Sequence, residues 1–420
     1  MSGQRSGWRR LRKAAVWGVA GLFGLVLMAY LALPLWVNRI AGSSPCSSLV
    51  GEPLSAPTQA WLDARLAGLR GKTLIDVHAH LAGRGIGSDC EVHGHMESRL
   101  HPGAWVRYQC YLSAGRVGPG DPDGAFGAHL FALRRALPVD VRMHVLGFDY
   151  SGGPGTWPDR EATLFRVSDG FLYAQVASGG EGLVPAPSIH PDDPEAIARL
   201  EQAQAHGARL IKWLPAAQGI DPADARFDDY YAALVRLDLA LLVHCGDEHA
   251  VPIPHAHGLG NPLRLRRALD AGVRIVVAHC ASSGMGEDLD HPGAAPVPNH
   301  RLLLRLMDEP RYGQQLFADI STLTQWNHFR QGLADFLARA DLHGRLLQGS
   351  DWPLPAIDVL YNLGALERAG FLDRDDLAPL REIYTSNPLL FDLALKRAVH
   401  HPETGQRFGD GVFLARPGLF

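Results

Sequence analysis

Eight short apolar runs, each followed by a helical stretch, leave this chain few ways to fold. They span residues 73–80, 141–148, 183–190, 208–213, 239–244, 273–279, 315–320 and 345–349. Runs this short read as buried parallel strands rather than core helices. The stretches between them carry helical signals. Residues 193–206 have Asp193 as N-cap, Pro194 at the first position and Gly207 as the stop. Residues 128–137 end before Pro138 and 262–271 end at Gly272; helices over 61–70, 169–177, 227–237, 301–307 and 329–340 complete the series, with 356–369 and 375–396 after the last strand. Strands alternating with helices imply a parallel sheet with crossovers, and eight such units close as a barrel. The expected fold class is therefore α/β, a (β/α)8 TIM-like barrel. The alternative is an open doubly wound sheet, and no Gly-x-Gly-x-x-Gly or Walker-type loop supports it.

A different element precedes the barrel. Residues 1–13 form a basic tail with Arg5, Arg9, Arg10, Arg12 and Lys13, and residues 14–37 hold no charged side chain. A helix needs about 20 apolar residues to cross a hydrocarbon core of roughly 30 Å. Trp17, Tyr30 and Trp36 stand near the ends of the stretch, where amphipathic rings favour the interface. The expectation is a single transmembrane helix over 14–37 with the N-terminus cytoplasmic and everything after it outside, in a bacterium the periplasm. The competing reading is a cleaved signal peptide, with a small-x-small site near Ala41 and Ser43. Residues 38–60 read as a linker, and 61–420 as the barrel domain with an insertion loop at 81–127.

Composition narrows the partners. The net charge of −4, with no Lys/Arg stripe beyond the first residues, gives no electrostatic footprint for nucleic acid. If the body is extracytoplasmic, a Cys90–Cys110 or Cys46–Cys90 disulfide is open to it. Cys245 and Cys280 read as small buried hydrophobes.

Chemistry enters at the strand ends, where barrels of this kind hold their sites. His78 and His80 close the first run, and alternation along a strand places them on one side with Ala79 facing away. Lys212 closes the fourth run, His244 the fifth and His279 the sixth, and Asp351 follows the eighth. Neutral imidazole is the commonest metal ligand. A divalent ion held by His78, His80, His244 and Asp351 leaves a position for water, whose pKa falls from about 15.7 towards ~7. Asp351 beside that water can accept its proton, and His279 can orient the water or stabilise a developing oxyanion. Lys212 stays open between an ammonium for a substrate carboxylate or carbonyl, a carboxylated bridge between two metals, and a structural role. Glu248 and His249, after the fifth run, are candidate supporting or substrate contacts, and ordinary loop polarity explains them equally well.

These residues and their order resemble the amidohydrolase superfamily, and within it the amidohydrolase-related branch similar to aminocarboxymuconate-semialdehyde decarboxylase. The resemblance covers residues 73–395. It rests on His78-Ala79-His80, Ser188-Ile189-His190-Pro191, the run from Gly207 to Pro215 around Lys212, His244, His279, Asp319-Ile320-Ser321, Gly349-Ser350-Asp351-Trp352-Pro353 and Ser386-Asn387-Pro388. It implies a TIM-like barrel, one divalent ion of zinc type (manganese or iron being the alternatives), His78, His80, His244 and Asp351 as ligands, and His279 as the catalytic histidine. The N-terminal apolar segment and the 81–127 insertion depart from the branch.

The expected function is a metal-dependent hydrolase acting on an amide, ester or lactone of a small organic molecule. The alternatives are a metal-dependent non-oxidative decarboxylase and a tethered binding module without catalysis. The expected partners are a small-molecule substrate and, through the N-terminal helix, a membrane. The oligomeric state is open, a dimer included.

Overall fold

The structure, a computed structural model, describes residues 3–37, 53–118, 120–248, 257–416 and 418–419. Cys46, His249, the 38–52 part of the linker and the Ala41/Ser43 cleavage site lie outside the described residues.

Eight parallel strands occupy seven of the expected positions as cores of the apolar runs and the eighth as a short remnant. They are β1 (Leu74–His80), β2 (Val141–Leu146), β3 (Leu183–Ala186), β4 (Leu210–Trp213), β5 (Ala240–His244), β6 (Ile275–Ala278), β7 (Leu316–Asp319) and β8 (Leu346–Leu347). β1, β2 and β3 pair in parallel, and so do β4 through β8 in sequence order. Two parallel bridges, Ser188 with Lys212 and Ala79 with Trp352, join the two sheets at their seams. The result is a closed eight-stranded barrel. Across the second seam Val77 N–H donates to Gln348 O at 3.0 Å and Asp351 N–H to His78 O at 2.6 Å, so the chain after β8 continues the ladder past the assigned strand.

β1 contains the irregularity on which the site depends. Its register against β2 shifts between Asp76 and Ala79 by one extra residue. A bulge of this kind reverses side-chain parity. Ile75 and Val77 join the apolar cluster inside the barrel with Leu146, Leu242 and Phe317. Ala79 instead packs in the outer layer between strands and helices. The bulge lets apolar residues below and His78 and His80 above face the same axis.

The opposite end of the barrel is closed by the chain's last described residues. Ile75 N–H donates to Phe413 O at 2.9 Å and Ala415 N–H to Thr73 O at 2.9 Å, and Ala415 and Leu419 pack onto the interior cluster.

The insertion differs from the expected loop. Glu91–Val92 pairs antiparallel with Phe165–Arg166, short helices cover Gly94–Glu97 and Pro102–Ala114, and the next helix starts at Gly124. Trp105, Tyr108 and Leu112 share one buried helical face, a spacing that the surrounding glycines mask. The Asp123 carboxylate accepts from the backbone N–H groups of Arg84 and Gly85 at 2.8 and 2.9 Å, fastening the start of the insertion to its end. Cys90 and Cys110 are buried free thiols, so the Cys90–Cys110 disulfide is not formed.

At the N-terminus a helix runs over Gly3–Leu31, and its Arg12–Leu31 stretch is apolar, 20 residues long and unburied. The short helix Leu33–Val37 after it packs against Pro102–Ala114.

Candidate metal centre

The end of β1 and the residue after β8 bring three donor atoms together. His78 Nε2 lies 3.1 Å from His80 Nε2, and Asp351 Oδ1 lies 3.4 Å from each. A tetrahedral ion bound at 2.0–2.1 Å holds its ligands about 3.3–3.4 Å apart. The triangle therefore has the edge lengths of one face of a zinc-type coordination sphere. The tautomer agrees. His78 Nδ1 is 3.0 Å from Asp319 Oδ2, and a carboxylate only accepts, so the proton sits on Nδ1 and Nε2 keeps its lone pair for the site.

Asp319 holds more than one of these groups. Its Oδ1 accepts from the backbone N–H of His279 at 3.1 Å, from that of Ser321 at 3.0 Å, and from the Ser321 hydroxyl. Because the Ser321 proton goes to Asp319, Ser321 Oγ accepts from His279 Nδ1 at 2.7 Å. His279 Nε2 is then also unprotonated, and it points at Asp351 Oδ2 across 3.8 Å. The backbone at His279 and Asp351 is left-handed, with φ of 56° and 54°. Such conformations cost of order 1–3 kcal/mol for ordinary residues and gather at functional sites.

Burial sets the protonation states. Desolvation, then the Lys212 charge, holds His78 and His80 neutral, well below the usual imidazole range. Desolvation and then the neighbouring His78 do the same to His279. Burial raises the Asp351 carboxyl to about 7 against the opposing pull of Lys212. Burial also lowers Lys212, whose Nζ lies 3.3 Å from His78 Nε2. A cluster of neutral imidazoles and one carboxylate around a desolvated centre is a donor set for a cation.

His244, the remaining expected ligand, stands less close than the other three. It closes β5 and lines the same cavity, yet it is not among the side chains whose donor atoms converge within 4.8 Å. Its Nδ1 faces Glu248 Oε2 at 3.4 Å, and its buried Nε2 has no hydrogen-bond partner among the described residues. Its ring lies 5.1 Å by centroid from that of His279.

Above the cluster is a cavity of about 340 Å³. Its floor is the polar set just described, and its walls are Val92, Tyr108, Phe148, Phe165, Ile357 and Leu360 with neighbouring apolar residues. Phe148 stacks on His80 at 4.5 Å between centroids. The Pro102–Ala114 helix contributes Arg107, Tyr108 and Tyr111 to the lining.

The structure thus assembles His78, His80, Asp351, His279 and Lys212 with His244 in one cavity, and keeps His190 apart, its Nε2 on Gln218 O at 3.0 Å. Asp319 and Ser321 were visible as a motif but had no assigned task. The signal was the rule used elsewhere: β7 too ends on a polar residue out of an apolar run, Leu316-Phe317-Ala318-Asp319.

No family model matches the chain, and no curated protein matches it. Solved structures similar to it include an uncharacterized TIM-barrel protein from Bordetella bronchiseptica, 16% identical over 77% of this chain and 99% of that one, with a TM-score of 0.45. A 4-oxalomesaconate hydratase from Rhodopseudomonas palustris is 16% identical over 77% and 98%, TM-score 0.40. A 5-carboxyvanillate decarboxylase from Sphingomonas paucimobilis is 12% identical over 71% and 98%, TM-score 0.39.

Proposed function

We propose that this chain is a metal-dependent hydrolase of the amidohydrolase type. It would cleave an ester, amide or lactone by adding water across the acyl bond, giving a carboxylic acid and an alcohol or amine. What supports this reading is the convergence of His78 Nε2, His80 Nε2 and Asp351 Oδ1 at 3.1–3.4 Å beside the unprotonated Nε2 of His279. A divalent ion of zinc type held by those three supplies Lewis acidity and a water of depressed pKa, from about 15.7 in bulk towards ~7. His244, whose buried Nε2 has no hydrogen-bond partner among the described residues, would be the candidate fourth ligand.

The chain's own groups have distinct tasks in this scheme. Asp351 Oδ2, the oxygen not in the triangle, accepts the proton of the attacking water. His279 Nε2 aligns the water, held in place by the relay through Ser321 to Asp319. Lys212 is proposed as the group facing the substrate carbonyl or carboxylate, and the apolar walls exclude bulk water.

We further infer that the Arg12–Leu31 helix anchors the chain in a membrane, with residues 61–420 forming the barrel domain on the far side. The test of the function is metal content on the purified full chain, by elemental analysis, followed by turnover of an ester, amide and lactone panel with and without chelator. About one ion per chain and chelator-sensitive hydrolysis would support it. A metal-replete chain that instead released CO₂ from aryl carboxylates would make it a decarboxylase. A chain without metal or turnover would be a tethered binding module.

A further inference from the structure

We propose that the mouth of the barrel faces the membrane surface and that the substrate is an amphiphile with one apolar tail, taken from the bilayer with its reacting group leading; this rests on the hydrolase reading and the membrane anchor above. The cavity joins one polar cluster, His78, His80, Lys212 and Asp351, to a mostly apolar lining. The insertion and the loops after β2 and β8 supply most of that apolar lining, with Arg107 the charged side chain among them. A ligand that satisfies both must carry its polar, reacting group at one terminus and an apolar remainder. At about 340 Å³ the cavity has the size of a small-molecule site.

The route in follows from what covers the mouth. The Pro102–Ala114 helix turns Tyr108 and Tyr111 into the cavity, and the Leu33–Val37 helix, directly after the apolar Arg12–Leu31 helix, packs against it. One helix is therefore both a cavity wall and the docking point of the membrane segment. The rim agrees. Trp326, between the cavity-lining Gln325 and Asn327, is 54% exposed, and Val359, itself a lining residue, is 53% exposed. The Trp326 N–H donates to Leu360 O at 3.0 Å, joining the two rim segments. Outside the N-terminal segment, six large apolar side chains are exposed among the described residues: Ile86, Leu100, Val235, Met285, Trp326 and Val359. Four of them belong to the insertion or this rim. Tryptophan with one wet and one apolar edge is the residue of membrane interfaces.

The experiment uses the full chain in phosphatidylcholine vesicles. Brominated acyl chains quench tryptophan only at short range, so wild type compared with Trp326→Phe isolates the signal of Trp326. A quenched Trp326 component is expected; an unquenched one places the mouth away from the bilayer and overturns the proposal. In parallel, a dansyl-labelled dodecanoyl amide and its butanoyl counterpart are titrated. Each buried methylene adds roughly fourfold in affinity, so the longer probe should bind at least about tenfold tighter. Val359→Asp, at an exposed position that leaves the fold intact, should remove most of that advantage, with metal content and thermal midpoint unchanged. Equal affinity for the two probes overturns the proposal. Chain-length-dependent binding without metal or turnover would uphold the amphiphile site and sink the hydrolase reading alone.

Discussion

The two oxygens of the Asp319 carboxylate hold two different histidines: Oδ2 takes the Nδ1 proton of His78 at 3.0 Å, and Oδ1 takes the backbone N–H of His279 at 3.1 Å. One residue at the end of β7 thereby fixes the tautomer of a proposed ligand and the position of the proposed catalytic histidine.

Replacing that carboxylate separates binding from chemistry. Asp319→Asn leaves His78 free to carry its proton on either nitrogen. Metal affinity should fall about 10–100-fold, as for other groups that orient a metal-binding imidazole. Chelator competition on the purified chain reads it, and wild-type affinity in the variant would refute the role.

The three converging donors should not behave alike with His244. His80→Ala and Asp351→Asn should each purify with little or no metal, whereas His244→Ala should keep most of it, because the donor atoms of His244 do not converge with those of His78, His80 and Asp351. Elemental analysis of the three variants decides. Equal loss in all three would make His244 a full ligand.

His279→Asn removes the Nε2 lone pair and spares the triangle. The ion should remain and the rate should drop by roughly 10²–10⁴-fold, the usual worth of a positioned proton-handling group. A variant that loses its metal as well would make His279 a ligand.

Buried His144 on β2 gives a pH dependence with a definite sign. Burial, and then the charge of Arg142, depress its pKa to about 3. The unfolded chain takes up this proton below ~6.5 and the folded chain does not. Its contribution to stability is fully present above ~6.5 and is lost as pH falls towards 3, by up to about 1.4 kcal/mol per unit. The buried site histidines act in the same direction, and Asp76 and Asp351, both raised to about 7 by burial, act in the opposite one. Comparing wild type with His144→Leu isolates the single residue. Urea midpoints should fall less steeply between pH 6.5 and 4.5 in the variant, and parallel slopes would contradict the assignment.

Much of the barrel was legible because its strands are short apolar runs that end on polar residues, and that pattern depends on burial alone. It singles out His78, His80, Lys212, His244, His279 and Asp351, and all six line one cavity. It could not see the bulge in β1. By strict alternation, inward Ile75 and Val77 would turn His78 outward, and only the extra residue reconciles the apolar interior with the two histidines. Nor could it see that His244 Nδ1 faces Glu248, since strand period does not announce a pairing with the following loop. In the insertion, glycines mask the spacing of Trp105, Tyr108 and Leu112. Tyr108 and Leu112 pack with Met96, a contact sequence spacing does not announce.

The bridge between Leu74 and Leu414 sets a condition on how the molecule is made. β1 is the first barrel strand to leave the ribosome, and one edge of it waits for the stretch 346–352 and its lower end for residues 412–415. Contacts of that separation form slowly. A chain that emerges in order must carry the strand of His78 and His80 half-paired until those residues have been made. The barrel, and with it the triangle of His78, His80 and Asp351, can close only after the last strand has joined the first.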